Sequence, residues 1–325
     1  MRRRDLAALL AAGLIARLRD AVGQVPAAHI GYLWLGSPGS DGTTRAGLVK
    51  GLAERGYVEG TSISIDYRYA GGNERRLAPL FAELLAAKPA LLVVPGVVAT
   101  RAALLVTVSV PIVSVTTDPV SAGFARSLAL PGRNVTGMAV TAGAEIAEKL
   151  IELARELVPN AQGIAVLHNP LSSVSVANAQ GIRLQAERLG ISLSLRGVSN
   201  QQELAGVLDR MVEAKPQSLI VDADALLYAN SGLIVSFARD HRLPTVYALR
   251  EFVDAGGLLS YGASIFDLWR RAAKHIDQIL KGGNPAEIPI EQPTKFELVI
   301  NAKTAKDLGI SLSPLLLARA DEVIE

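Results

Sequence analysis

From His29 onward, short runs of apolar, largely β-branched residues alternate with helix-length segments whose apolar positions recur every three or four residues. That alternation is the pattern of a parallel sheet covered by helices on both faces. The runs predict strands over 30–35, 62–69, 90–95 and 112–116, with helices beginning near Asp41, Asn73 and Val98. Ile112-Val113-Ser114-Val115 is apolar enough for a strand buried on both faces. A second round opens after Asn134-Val135-Thr136-Gly137. Its first helix, 144–157, stops before Pro159, which cannot continue the hydrogen-bond ladder. Strands follow at 163–168, 192–196, 218–221 and 245–247, separated by helices over 173–189, 201–214 and 225–241. The fold class is therefore α/β, with two doubly wound sheets over 29–118 and 140–248. Beyond them the pattern predicts an amphipathic helix ending at Lys281-Gly282-Gly283, an extended stretch over 288–300 and a last helix over 302–308.

Length supports the duplication, since 325 residues exceed one average domain and suit two. Composition narrows the function classes. Half the residues are hydrophobic and a fifth charged, which supports packed cores and argues against disorder. The formal charge is +2, with basic residues clustered only at the extreme N-terminus, so no nucleic-acid footprint is expected. With no cysteine there is no disulfide, thiolate metal ligand, cysteine nucleophile or lipid-anchored N-terminal cysteine. The longest charge-free apolar stretch after the N-terminus, 102–117, is interrupted by Pro111 and reads as a helix end followed by a strand, not a membrane span.

The N-terminus carries a localisation signal of its own. Arg2, Arg3 and Arg4 precede an apolar run over 6–16, and Ala21-Val22-Gly23 supplies the small-x-small spacing of a signal peptidase site. A signal peptide over 1–23 with cleavage before Gln24 is expected, and the paired arginines admit a twin-arginine route. Arg17, Arg19 and Asp20 place charge where such peptides are usually neutral; an amphipathic helix on a cytoplasmic protein is the alternative.

Five phrases occur together and in order: Gly56-Tyr57-Val58-Glu59-Gly60, Thr117-Asp118-Pro119-Val120, Pro131-Gly132-Arg133-Asn134-Val135-Thr136-Gly137, Arg250-Glu251-Phe252-Val253 with Gly256-Gly257-Leu258, and Pro293-Thr294-Lys295-Phe296-Glu297-Leu298-Val299-Ile300-Asn301. With the closing 317–325, they resemble the ABC-transporter substrate-binding family that includes binders of tryptophan and other aromatic amino acids. The resemblance implies a type I periplasmic-binding fold: two lobes joined by a three-strand hinge, with a ligand between them. On it, the N-terminal lobe takes 29–120 plus about 262–292, and the C-terminal lobe about 135–250 plus about 296–325. It further implies a monomeric periplasmic component of an ABC importer, with a membrane permease as partner and no nucleic acid. The ligand expected is a small molecule, an aromatic amino acid or related aromatic carboxylate, bound by hinge closure without catalysis, cofactor or metal.

Ligands of open α/β sheets bind where strands end and helices begin, and the candidate residues follow. After the first strand, Trp34 is a stacking candidate and Ser37 offers a hydroxyl at a helix start, whereas Ser40 or Asp41 there would simply cap the helix. After the third strand, Gly96-Val97-Val98-Ala99-Thr100 resembles the family's Gly-Thr-Pro loop with valines in place of polar residues, leaving backbone N–H groups near Val98 and the hydroxyl of Thr100. Thr117 and Asp118 follow the fourth strand; Asp118 would pair with a ligand ammonium or cap a turn. In the second round, Asn169, Ser172 and Ser173 open a helix after a strand ending in His168, which is expected to pack as a neutral residue. Asp222 and Asp224 follow the third strand as ammonium partners or solvated loop acids. Tyr247, Glu251 and Tyr261 lie on segments that the resemblance places beside the hinge, each ring serving for stacking or for the core; Trp269, mid-helix, is expected in the core.

Two other classes were weighed. A ligand-sensing regulator on the same lobes would need a DNA-binding module, and 28 residues are too few for one before the first strand. A doubly wound enzyme would need a reaction motif, yet the four histidines lack metal-binding spacing and neither a G-x-S-x-G elbow nor a P-loop occurs.

Overall fold

In the computed structural model of the protein, residues 28–140 and 145–325 are described. The expected signal peptide lies outside them. Among the described residues no helix is long and apolar enough to cross a membrane.

The first sheet has five parallel strands in the order β2-β1-β3-β4-β5. They are β1 (Ala28–Trp34), β2 (Ile63–Tyr69), β3 (Leu91–Pro95), β4 (Ile112–Thr116) and β5 (Val135–Ala139). The helices α1 (Gly42–Ala53), α2 (Leu77–Ala86) and α3 (Val97–Val106) connect successive strands. Every residue of β3, β4 and β5 is buried, as a sheet covered on both faces requires. One face packs Leu48, Leu52 and Trp269, the other Phe81, Leu84 and Ala103.

The second sheet has seven strands in the order β12-β11-β10-β9-β8-β6-β7, parallel except for the antiparallel β10–β11 pair. Its elements run α4 (Glu145–Leu157), β6 (Gly163–His168), α5 (Ser173–Arg188), β7 (Ser192–Gly197), α6 (Gln201–Glu213), β8 (Ser218–Val221), α7 (Ala225–Ala229), α8 (Ser231–Asp240), β9 (Thr245–Tyr247), α9 (Glu251–Asp254) and β10 (Leu259–Ala263). After α10 (Ile265–Leu280) come β11 (Phe296–Asn301), α11 (Ala302–Leu308), α12 (Pro314–Arg319) and β12 (Glu322–Ile324).

Three departures from the sequence pattern have local causes. Val135-Thr136-Gly137, expected to lead into the second lobe, is an edge strand of the first sheet instead. Asn134 is held there by a 2.8 Å hydrogen bond to the Val110 carbonyl, and at Gly137, with φ of 136°, a Cβ would lie 1.9 Å from the Ser114 carbonyl oxygen. A glycine is what lets β5 approach β4 so closely. The single helix expected over 225–241 is two, broken where the Asn230 amide turns back to the Leu226 carbonyl. The extended stretch over 288–300 is a strand only from Phe296; before it, Glu291 bridges Met138 of the first sheet.

The chain passes between the sheets three times: between β5 and α4, between β10 and α10, and between Glu291 and β11. Helix α10 is the element that makes this necessary. It follows a strand of the second sheet but packs into the core of the first, where Trp269, Ala272, Ala273 and Ile276 meet Leu48 and Leu52 of α1. The α1–α10 contact uses glycines four apart: a Cβ at Gly47 would lie 2.3 Å from the Phe266 carbonyl oxygen, and one at Gly51 2.1 Å from that of Arg270. Spacing of four puts both on one helix face, so the backbones approach directly.

Gly51→Ala should therefore cost about 1–3 kcal/mol by overpacking, whereas Gly206→Ala, on α6 where the nearest atom is 3.4 Å away, should gain up to about 1 kcal/mol of helix propensity. Urea unfolding of both variants checks the contrast, and equal effects would contradict the close approach.

Candidate functional site

Strands β1 and β3 of the first sheet and β6, β8 and β9 of the second end at loops that open the following helices, and β4 ends at a turn leading to β5. The two edges meet where the Tyr228 hydroxyl of α7 donates to the Ser40 carbonyl at 3.5 Å. The cleft is thus bounded by the loops after β1 and β8.

On the first-lobe side, the loop after β1 is braced from within. The Trp34 indole N–H donates to Ser40 Oγ at 2.8 Å, and Ser40 Oγ donates to the Ser37 carbonyl at 2.8 Å. Trp34 is half-buried and Ser37 exposed. Neither Ser40 nor Asp41 caps α1, contrary to the expectation from composition. The Asp41 carboxylate instead turns under the loop, 2% exposed, with Oδ2 accepting from the Tyr69 hydroxyl at 3.2 Å and Oδ1 buried without a partner. Helix α3 likewise begins at Gly96, φ 85°, without a side-chain cap, so the N–H groups of its first turn near Val98 are unmet by any side chain. Thr100 is a correction: it is fully buried, donating to the Gly96 carbonyl at 2.7 Å and sharing a hydrogen bond with Ser114, and lies beneath the cleft wall. Asp118 accepts the Val120 and Ser121 N–H groups at 3.0 and 2.9 Å, which makes it a turn cap. Thr117, beside it, is half-buried.

On the second-lobe side α5 and α7 start with side-chain caps, whereas α9 starts without one. Ser172 caps α5, and Asp224 caps α7 by accepting the Leu226 and Leu227 N–H groups. Asp224 also accepts the Asn169 amide at 3.2 Å, while Asn169 Oδ1 accepts the Leu171 N–H. Ser173 is exposed at the first turn of α5. Asp222, expected as an ammonium partner or a solvated loop acid, is instead an internal post. It is 1% exposed and holds the Ser175 hydroxyl and the Asn178 amide of α5, so both oxygens are committed. Burial pushes its carboxyl up to about 6, with those two hydrogen bonds acting in the opposite sense. Burial also lowers the pKa of His168, which is neutral and packed at the end of β6.

Of the hinge-side residues, Tyr247 takes the core role of the two expected for it: it is 1% exposed and stacks on Phe252 at 4.8 Å. Tyr261 stacks on Phe296 across the β10–β11 pair at 5.9 Å. Glu251, by contrast, opens α9 at the end of β9 with Oε2 buried and unpartnered. Burial, reinforced by Asp254, pushes its carboxyl up to about 7. Trp269 is in the first-lobe core, as expected. Tyr228 and the inward-turned Asp41 were not among the sequence candidates; a Tyr inside a helical pattern and an acid at a helix start carry no mark of the cleft. Among the described residues no group of acidic or histidine side chains could hold a metal ion.

The family described as ABC transporter substrate binding protein matches residues 35–324. The chain belongs to this family. It is a substrate-binding protein and not an enzyme, and its two-lobed form is the type I periplasmic-binding fold. A tyrosine-binding protein of Clostridioides difficile (strain R20291) is 26% identical over 267 residues, covering 82% of this chain and 76% of its own. Among solved structures, an ABC domain from Streptococcus pneumonia in complex with L-Trp is 28% identical, with a TM-score of 0.84 over 91% of this chain and 99% of its own. A conserved domain protein from Vibrio cholerae is 26% identical, with a TM-score of 0.83 over the same shares.

Asp222 has a pH signature. Its carboxyl titrates near 3.8 when free and near 6 when folded, so the stability it allows is complete below about pH 4 and is lost as pH rises through 6. Asp222→Asn should escape that loss, on the order of 3 kcal/mol at 1.4 kcal/mol per unit. Urea unfolding at pH 4, 5.5 and 7 checks it; parallel curves for the two proteins would show an ordinary carboxyl.

Proposed function

We propose that this member of the family binds an aromatic amino acid or related aromatic carboxylate between its lobes and delivers it, outside the cytoplasm, to the permease of an ABC importer. The observation that carries this reading is the pair of uncapped helix starts on the first-lobe side of the cleft. In the first lobe α1 and α3 begin without side-chain caps, while in the second α5 and α7 are capped. Uncapped N–H groups and the positive ends of helix dipoles favour an anion, which suits a ligand carboxylate bound near Ser37 and Val98. Trp34, Tyr69 and Tyr228 supply half-buried rings around the same loops, and offset or edge-on ring pairs would hold an aromatic ligand. Relatives that bind tyrosine and L-Trp support the ligand class. The three crossovers allow the lobes to close about a solute, so occupancy is signalled by shape and no chemical step is needed.

A thermal-shift series on the mature protein with L-tyrosine, L-tryptophan, L-phenylalanine, glucose and a dipeptide tests the ligand class. An aromatic amino acid at a hundred times its dissociation constant should add about 2.7 kcal/mol, and a response to glucose or the dipeptide alone would overturn the assignment.

Export is tested separately by N-terminal sequencing of periplasmic extract. The expected first residue is Gln24, and recovery of intact Met1 from cytosol alone would contradict it.

A further inference from the structure

The last crossover is stitched to the first lobe along its approach. The Gly132 N–H donates to the Ala286 carbonyl at 2.9 Å, the Thr136 hydroxyl to the Ile288 carbonyl at 2.8 Å and the Ile290 N–H to the Leu128 carbonyl at 2.8 Å. Glu291 then exchanges backbone bonds with β5, donating to Gly137 at 3.0 Å and accepting from Ala139 at 2.8 Å. Residues 286–291 thus form a strap along the β5 edge of the first sheet. Helix α10 grips that strap through one ring. His275, 1% exposed, reaches the Pro289 carbonyl with Nε2 at 3.1 Å. A carbonyl only accepts, so Nε2 carries the hydrogen and Nδ1 the lone pair. Nδ1 is buried without a hydrogen-bond partner.

The surroundings disfavour a second proton on the ring. Burial lowers its pKa, with Lys274 acting in the same sense, and outweighs the Pro289 and Ala272 carbonyls and Glu291, which act against it. Glu291 is itself answered by Arg271 at 2.8 Å and Lys274 at 2.7 Å. On the strap Glu287 is spent on the Asn284 amide, and on the next turn of α10 Asp277 is held by Tyr57 and Lys281. Strands β4 and β5 carry no ionisable side chain, while α1 and the loop before β5 bear only cations, Arg45, Lys50, Arg126 and Arg133. We propose that His275 is an acid-sensitive latch on the hinge: a proton on Nδ1 makes the ring a buried cation with no partner at that nitrogen, and the strap 286–291 is released from α10 and β5. The stability contributed by the neutral ring is complete above the free value of 6.5 and is lost as pH falls from there through the lower folded value. The latch acts on the crossover before β11 and not on the ligand site, so it holds for whichever solute the cleft takes.

Amide hydrogen exchange of the ligand-free mature protein at about pH 7.5 and about pH 5, corrected for the intrinsic pH dependence of exchange, reads the strap through the Ala139, Ile290 and Glu291 N–H groups. Their protection should fall about threefold or more in acid, while that of Val93, inside the first sheet, stays constant. Constant protection at the three strap amides, or an equal fall at Val93, would overturn the latch. In His275→Gln the side-chain amide still donates to Pro289 but does not titrate, so strap protection should be the same at both pH values. An acid loss as large as in the unaltered protein would again overturn it. An NMR titration of the imidazoles in the unaltered protein decides even if the variant does not fold: His275 should take up its second proton only below pH 6.5, and a ring that titrates at or above that value leaves acid nothing to release.

Discussion

Helix α10 is tied to one lobe by its chain and to the other by its packing. It emerges from β10 of the second sheet and docks on α1 of the first through Gly47 and Gly51, where two backbones touch. Because that contact is close-packed and has no side chains to yield, the crossover before α10 is fixed at its first-lobe end. The crossover before β11 runs beside it: Glu291, which bridges Met138 of β5, pairs with Arg271 and Lys274 of α10 before the chain enters β11. Both of these crossovers are thus anchored on the first lobe.

The cleft edges then differ in how their helices begin. First-lobe helices α1 and α3 start without side-chain caps, as does α9 of the second lobe, whereas α5 and α7 spend Ser172 and Asp224 on their own first turns. The second lobe also lends Tyr228, whose hydroxyl reaches the Ser40 carbonyl of the first. Most other polar residues at the edge hold the scaffold: Asp222 ties β8 to α5, Asp118 closes a turn, and Ser40 ties Trp34 to its loop. Pre-organised loops of that kind lose little freedom when a ligand enters.

The fold was legible because doubly buried strands leave continuous β-branched runs, as in Ile112-Val113-Ser114-Val115, and helices leave a different period. Strand β5 escaped because its glycine-bearing phrase looks like a linker; only the close approach of Gly137 to Ser114 shows why it pairs. The site was legible as a set of loops but not as a set of side chains. Position after a strand says that Thr100 and Asp222 are near the cleft, yet the direction of each side chain depends on Ser114 and on α5, which are distant in sequence. Tyr228 was missed for the same reason, since its partner Ser40 lies 188 residues away.

The interleaving of the lobes bears on the order in which the chain can fold. One face of the first sheet is covered by α1 alone until 265–280 have been made, and the second sheet lacks β11 and β12 until the chain is nearly complete. Neither half can be sealed while synthesis proceeds from the N-terminus, and the Arg250–Glu322 clasp beside Glu251 forms among the last contacts of all. A chain so arranged cannot complete either core until most of its length has been made.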